Sequence, residues 1–317
     1  MRRYLPILLS VMVVTGGAWW LVQYKHAQAT PHYTTPTPLP TNLLGHFAPT
    51  PSCAKPPAFL KALKIPQPVI IDLSQKQYRG VALRFGKGFT QVLHPKQWEQ
   101  YGHFSTYALD RSGDLYLIPM PFISIEPSTF AWQRQLYRLD TKTGRLAPFM
   151  AFDSILPTAN NPYGLSAITY DCSDHSLWVA RIDRSDYQTQ KGILYHIDIA
   201  TQTILQHIEG IDALSLQLLQ STRGRFLLVG SARDNHLYAY PLRQGEAHPP
   251  AIPLLTLPRA SEHIRKIRIL SDSTLELQTI PFGYSLITQT AQSDRAYYHA
   301  QWDPHLNKWA IHPQNTH

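Results

Sequence analysis

From about residue 105 onward the chain repeats itself. Ser105-Thr106-Tyr107-Ala108-Leu109-Asp110 runs into a turn at Arg111-Ser112-Gly113 and then into Asp114-Leu115-Tyr116-Leu117-Ile118. Leu136-Tyr137-Arg138-Leu139-Asp140 follows, with a turn at Thr141-Lys142-Thr143-Gly144 before Arg145-Leu146. The plan recurs as Leu165 to Asp171, Ser176 to Ala180, Leu194 to Asp198 and Thr203 to Leu205. A third copy runs Ala213 to Leu219, Arg225 to Val229 and Leu237 to Tyr240. A weaker fourth has Ile264 to Leu270, Thr274 to Leu277, Tyr297-Tyr298 and Lys308 to Ile311. The runs are short and rich in β-branched and aromatic residues, and Gly, Asp and Ser between them supply hairpin turns.

A unit of four strands over ~40–50 residues, repeated, is the signature of a β-propeller blade. The Leu-Tyr pairs at 136, 194 and 237 lie 58 and 43 residues apart, whereas a β-sandwich is not expected to repeat its own sequence. The expected class is all-β, a propeller of four-stranded blades over residues 69–317. Five units can be counted, with Val69 to Gly102 as a ragged first. A sixth follows if that segment and the terminal strand are divided differently. Val69-Ile70-Ile71-Asp72-Leu73 has a second reading, as a strand that pairs with the last blade and closes the ring.

Two stretches carry a family resemblance. Gly164-Leu165-Ser166-Ala167-Ile168-Thr169-Tyr170-Asp171 with Leu177-Trp178-Val179-Ala180, and Asp110-Arg111-Ser112-Gly113-Asp114-Leu115-Tyr116-Leu117, resemble blades of the NHL-repeat and gluconolactonase-like (regucalcin-like) propellers. The resemblance spans roughly residues 69 to 312. It concerns packing and turn positions, so it speaks to architecture. The gluconolactonase-like enzymes imply a divalent cation held by Glu, Asn and Asp at successive inner-strand entrances. Asn160-Asn161 and Asp212 stand at two such places, but no glutamate opens the equivalent strand of the first unit and the Asn-Asp dyad is absent. An incomplete oxygen set gives hard cations little affinity.

Ahead of the repeat, Met1-Arg2-Arg3 precedes the uncharged run Tyr4 to Tyr24, 21 residues in all. At ~1.5 Å per residue that run spans a ~30 Å hydrocarbon core. Trp19, Trp20 and Tyr24 suit the membrane interface, and Arg2 and Arg3 hold the N-terminus in the cytoplasm. The competing reading is a cleaved signal peptide ending near Ala27-Gln28-Ala29, although the run is longer than a usual h-region of ~7–15 residues. Both readings of residues 1–29 export the remainder to the periplasmic or extracellular side. Residues 30–68 hold ten prolines and should form an extended stem. Within it Phe59-Leu60-Lys61-Ala62-Leu63-Lys64 can make one helical turn that packs on the folded domain.

This division changes the meaning of the net charge of +8. Residues 1–71 contain six basic side chains and no acidic one, which leaves 23 basic against 21 acidic residues from position 72 onward. The positive charge marks topology and stem, and no nucleic-acid surface is expected.

For chemistry, the loops joining outer to inner strands and second to third strands build one face of a propeller. The candidate binding residues there are Asn160, Asn161, Arg181, Asp183, Arg184, Asp212, Arg233 and Asp234. They form either a polar funnel for an anionic or sugar-like ligand or inter-blade ion pairs on a solvated rim. No catalytic residue is assigned. The 15 histidines are scattered without zinc-site spacing, and neither a Gly-x-Ser-x-Gly elbow nor a Walker loop occurs. Cys53 in the stem and Cys172 at a hairpin turn form an even pair in an exported chain, read either as a disulfide or as two separate thiols. The expected role is a binding or interaction module for an unidentified protein or small molecule, with no cofactor. The alternative is a metal-dependent lactonase-type hydrolase, and only that reading needs a divalent cation.

Overall fold

The computed structural model describes residues 47–48, 53–74, 77–120, 129–158, 160–243, 246, 248–271, 273–285, 295–303, 305–306 and 308–314. The chain divides into two compact units, Met1–Pro36 and Thr37–His317, and every described residue belongs to the second. The apolar run Tyr4 to Tyr24 and the possible cleavage site therefore lie outside the described residues. Among the described residues no helix is long and apolar enough to cross a membrane.

Five antiparallel sheets follow one another along the chain. The first blade holds β2 (Ile70–Asp72), β3 (Ala82–Phe85) and β4 (Gln91–Leu93). The second holds β5 (Phe104–Leu109), β6 (Leu115–Pro119), β7 (Gln135–Leu139) and β8 (Leu146–Ala151). The third comprises β9 (Leu165–Asp171), β10 (Ser176–Arg181), β11 (Ile193–Asp198) and β12 (Thr203–Glu209). The fourth comprises β13 (Ala213–Ser221), β14 (Gly224–Ser231), β15 (His236–Pro241) and β16 (Ile252–Thr256). The fifth comprises β17 (Glu262–Ile269), β18 (Thr274–Pro281), β19 (Ala296–Asp303) and β20 (Lys308–Pro313). The chain is thus a five-bladed β-propeller, and the division into six does not occur. The segment around Ile70 pairs with Ala82–Arg84 inside the first blade rather than with the last one.

Strand alternation explains how the blades stack, because successive side chains point to opposite faces of a sheet. In β10, Leu177 and Val179 enter the core shared with the second blade, while Trp178 and Ala180 enter the core shared with the fourth. Likewise Leu227 and Val229 of β14 face the third blade, and Phe226 and Leu228 face the fifth. Leu115 and Leu117 of β6 pack toward the first blade, and Tyr116 and Ile118 toward the third. Four apolar seams result, joining blades one to two, two to three, three to four and four to five.

Among the described residues no fifth apolar core joins the last blade to the first. In β18, Leu275 and Leu277 face the fourth blade, while Thr274, Glu276 and Gln278 occupy the opposite face. Among the described residues the first blade has three strands. The long connection 73–81 and the short turn 86–90 match the second-to-third and third-to-fourth links of the other blades, so these three take the second, third and fourth places of the blade. In keeping with this, Arg265 of β17 donates through Nη2 to the Ser105 carbonyl of β5 at 3.1 Å. That bond joins the inner strands of the fifth and second blades directly.

The stem crosses the face that carries the inner hairpin turns. β1 (Phe47–Ala48) adds to the inner strand of the fourth blade, with Phe47 opposite Ser221. Cys53 is disulfide-bonded to Cys172 in the third blade, 119 residues away. The Lys55 amide donates to the Asp110 carbonyl in the second. Helix α1 (Ala58–Ala62) then buries Phe59 and Leu60 against Trp98 and Leu139. Gly113 (φ +92°) lies under this strap, where a Cβ would stand 2.8 Å from the Pro56 carbonyl oxygen. A side chain there would lift the stem off the disc.

Candidate functional site

The opposite, loop face carries the residues singled out in the sequence, and they fall into two groups. In the first, Arg181 at the end of β10 sets Nε 2.9 Å from Asp183 Oδ1. Its Nη1 donates to Ser154 Oγ at 2.7 Å and Tyr195 Oη at 3.1 Å. Asp183 Oδ2 accepts the Leu156 amide at 2.9 Å. Both side chains are buried, so the pair latches loop 152–164 to loop 182–192. Arg184 lies at the edge of this group, half exposed, and reaches the Ser154 carbonyl.

The second group centres on Asp212, just before β13. Its Oδ1 accepts Ser185 Oγ at 2.6 Å and the Gly192 amide at 2.8 Å. Its Oδ2 accepts Tyr284 Oη at 2.5 Å and Arg233 Nη1 at 3.3 Å. A Cβ on Gly192 would stand 2.4 Å from Asp212 Oδ1, so that close approach requires glycine. Arg233 also donates to the carbonyls of Asp186, Tyr187 and Thr189. Burial first, then the negative Asp212, raises the Tyr284 phenol far above its ordinary pKa, so Tyr284 is a fixed donor. Asn161 joins through Nδ2, which donates to the Ile182 and Ser185 carbonyls at 2.6 and 2.7 Å.

Asn160 is exposed beside this group, and Asp234 turns away within its own blade. Asp234 accepts Tyr238 Oη at 2.9 Å and the His236 amide at 3.0 Å. An oxygen site built on Asn161 and Asp212 would have to displace these donors, and hard cations need oxygen ligands that face inward together. Among the described residues no group of three or more His, Cys, Asp or Glu is placed to hold a metal ion. The geometry makes these residues interloop latches, in which buried polar groups satisfy one another.

Above them an aromatic layer closes over the loops. Tyr163 and Phe282 have ring centroids 5.2 Å apart, Phe282 and Tyr284 5.4 Å, and Tyr187 and Tyr284 5.6 Å. Tyr284 packs on Ile182, Leu214 and Ala232. His263 touches Phe282 from β17, and burial lowers its imidazole pKa.

Two further constellations carry no local sequence signature. On the hairpin face, a cavity of about 550 Å³ between the third and fourth blades is lined in part by Asp171, Asp174, His196 and Arg225. There buried Ser176 donates from Oγ to Asp174 Oδ1 at 2.5 Å and lies 2.7 Å from His196 Nε2. Nε2 is also 3.2 Å from Asp174 Oδ2. A nucleophilic serine needs its carboxylate on the other ring nitrogen. Here both groups share one nitrogen and the hydroxyl proton points at Asp174, so the trio is a turn clasp.

The second lies between the inner strands of blades two to five. This cavity of about 430 Å³ is lined by Thr106 to Leu109, Ala167 to Tyr170, Leu214 to Leu218 and Arg265 to Arg268, with Ala54 and Cys172 at its stem end. Its wall contains three cationic side chains and no carboxylate. A β-bulge in β17 between Ile264 and Lys266 turns Arg265 across it, as bulges re-aim side chains. The Arg265 guanidinium donates to the Leu214 and Ser105 carbonyls at 2.8 and 3.1 Å. Burial pushes its pKa down to about 10.

Among solved structures, the chain is similar to a dihydro-heme d1 dehydrogenase at 14% identity, over 74% of this chain and 42% of that one, with a TM-score of 0.37. It therefore spans less than half of that protein's length. A glucose dehydrogenase matches at 14% identity over 71% of this chain and 78% of that one, with a TM-score of 0.42. A luciferin-regenerating enzyme matches at 14% identity over 74% and 78%, with a TM-score of 0.43. No protein-family model and no curated protein sequence matches the chain. The propeller assignment rests on the strand order and register of the chain itself.

Proposed function

We propose that the chain is an exported, membrane-anchored propeller that acts as a binding module and performs no chemistry of its own. Its ligand is a small molecule taken into the cavity between the inner strands. The carrying observation is a division of labour among polar groups. The loop-face residues Arg181, Asp183, Asp212 and Arg233 are engaged with one another, whereas the cavity wall presents polar side chains around about 430 Å³, within the usual range of ligand pockets. Export is supported by Arg2 and Arg3 ahead of the uncharged run Tyr4 to Tyr24, and by a disulfide, which suits an oxidising compartment.

The test uses the full chain purified in detergent. Thermal-shift screening of metabolite-sized ligands should yield stabilisers, since a ligand at 100 times its Kd adds ~2.7 kcal/mol. Lactone hydrolysis with added calcium or zinc should stay at background. Turnover that tracks stoichiometric bound metal would overturn the reading.

A further inference from the structure

The cavity wall is asymmetric in charge. Thr106, Thr169, Ser215 and Gln217 supply neutral polar groups from three blades, while Arg265, Lys266 and Arg268 all come from β17. Strand register tells where they look. Ile267 packs toward the fourth blade, so Lys266 and Arg268 face the other way. Tyr107 lies opposite Leu117, which packs toward the first blade. Lys266, Arg268 and Tyr107 therefore line the cavity on the side of the first blade, which shows no inner strand among the described residues. All three are exposed.

The three cations differ in how they are satisfied. Arg268 is 2.8 Å from Glu276, directly opposite it in the sheet. Arg265 gives its donors to carbonyl groups, which leave its charge uncompensated. Lys266 has no hydrogen bond or ion pair among the described residues. Its pKa is lowered by desolvation and then by Arg265, Arg295 and Arg268, and no acidic group appears among the causes. Arg265 and Lys266 are thus neighbouring like charges with no carboxylate beside them, and such a pair favours an anion, which relieves their repulsion.

We infer that this cavity binds a small polyanion, a molecule carrying two or more carboxylate or phosphate groups, with Lys266 as its principal contact and Arg268 and Arg265 beside it. The inference rests on the binding-module reading and adds the chemical class of the ligand. The neutral hydroxyl and amide groups of Thr106, Thr169 and Gln217 complete the wall for the uncharged part of such a molecule.

The test is calorimetric titration of the full chain in detergent at low salt with citrate, inorganic pyrophosphate and glucose. Citrate and pyrophosphate separate a carboxylate source from a phosphate source. The expected result is binding of at least one polyanion, weakened at least tenfold by Lys266→Gln and further by Lys266→Gln with Arg268→Gln, with melting temperature unchanged. Binding should also weaken with added salt. Equal affinity in the variants overturns the inference, because the anion then sits elsewhere. Glucose binding that ignores both substitutions overturns the polyanion while leaving the binding module standing. Failure of both polyanions at millimolar concentration overturns the inference as well, and the ligand screen then decides the broader reading separately.

Discussion

The seam between the third and fourth blades and the seam between the fifth and first are built from the same kind of strand. In the former, Trp178, Ala180 and Leu194 interlock with Leu216, Leu227 and Val229. In the latter, the last blade presents Lys266, Arg268, Glu276 and Gln278. In the first blade, the face of β3 turned away from the second blade carries the Arg84–Asp72 pair. The stem reinforces the apolar side of the ring from the hairpin face, reaching the fourth blade through β1, the third through the disulfide and the second and first through α1. The fifth blade is tied to the second across the inner strands, by Arg265 on the Ser105 carbonyl.

Several experiments can break this contrast. Asp212→Ala should have the largest effect, about 3–5 kcal/mol lost in urea unfolding, because it leaves Arg233 buried without its carboxylate. Leu177→Ala, in a seam sealed on both sides, should lose about 2–5 kcal/mol. Replacing Cys53 and Cys172 together by Ser should lose about 2–4 kcal/mol, since the bridge closes a long loop. It should also raise protease sensitivity of the stem. By contrast His299→Ala, on the polar face of the fifth blade, should stay within about 0.5 kcal/mol. A loss like that of Leu177→Ala would mean that the fifth seam is packed like the others.

The smallest effect concerns pH. His263 accepts burial between the fourth and fifth blades at the cost of a lowered pKa, with the Ser231 carbonyl and Asp234 opposing that shift. The unfolded chain then binds a proton that the folded one resists. Stability should fall as pH drops through the ordinary histidine pKa of ~6.5 and level off below the lowered folded value. His263→Gln should flatten that segment of the unfolding curve, and an unchanged curve would refute the assignment.

The blade repeat was readable because β6, β10 and β14 are apolar on both faces, so their signal survives in every copy. The fourth copy read as weak for a physical reason. Thr274-Leu275-Glu276-Leu277-Gln278 alternates, as a sheet with one polar face must. The first unit is ragged because only three short strands, β2, β3 and β4, are present among its described residues. The charged loops were also visible, but the role of Asp212 was not, since Ser185, Gly192, Arg233 and Tyr284 arrive from three separate loops. Lys266 lies inside the run Ile264 to Leu270 with nothing in the sequence to mark it, and the bulge at Arg265 sets it against the cavity.

Native-state hydrogen exchange, resolved by blade, tests the unequal seams most directly. Amides of β10 and β14 should exchange only through global unfolding. Those of β3, β19 and β20 should exchange through a smaller opening at the polar seam. Uniform protection across all five blades would contradict that inequality.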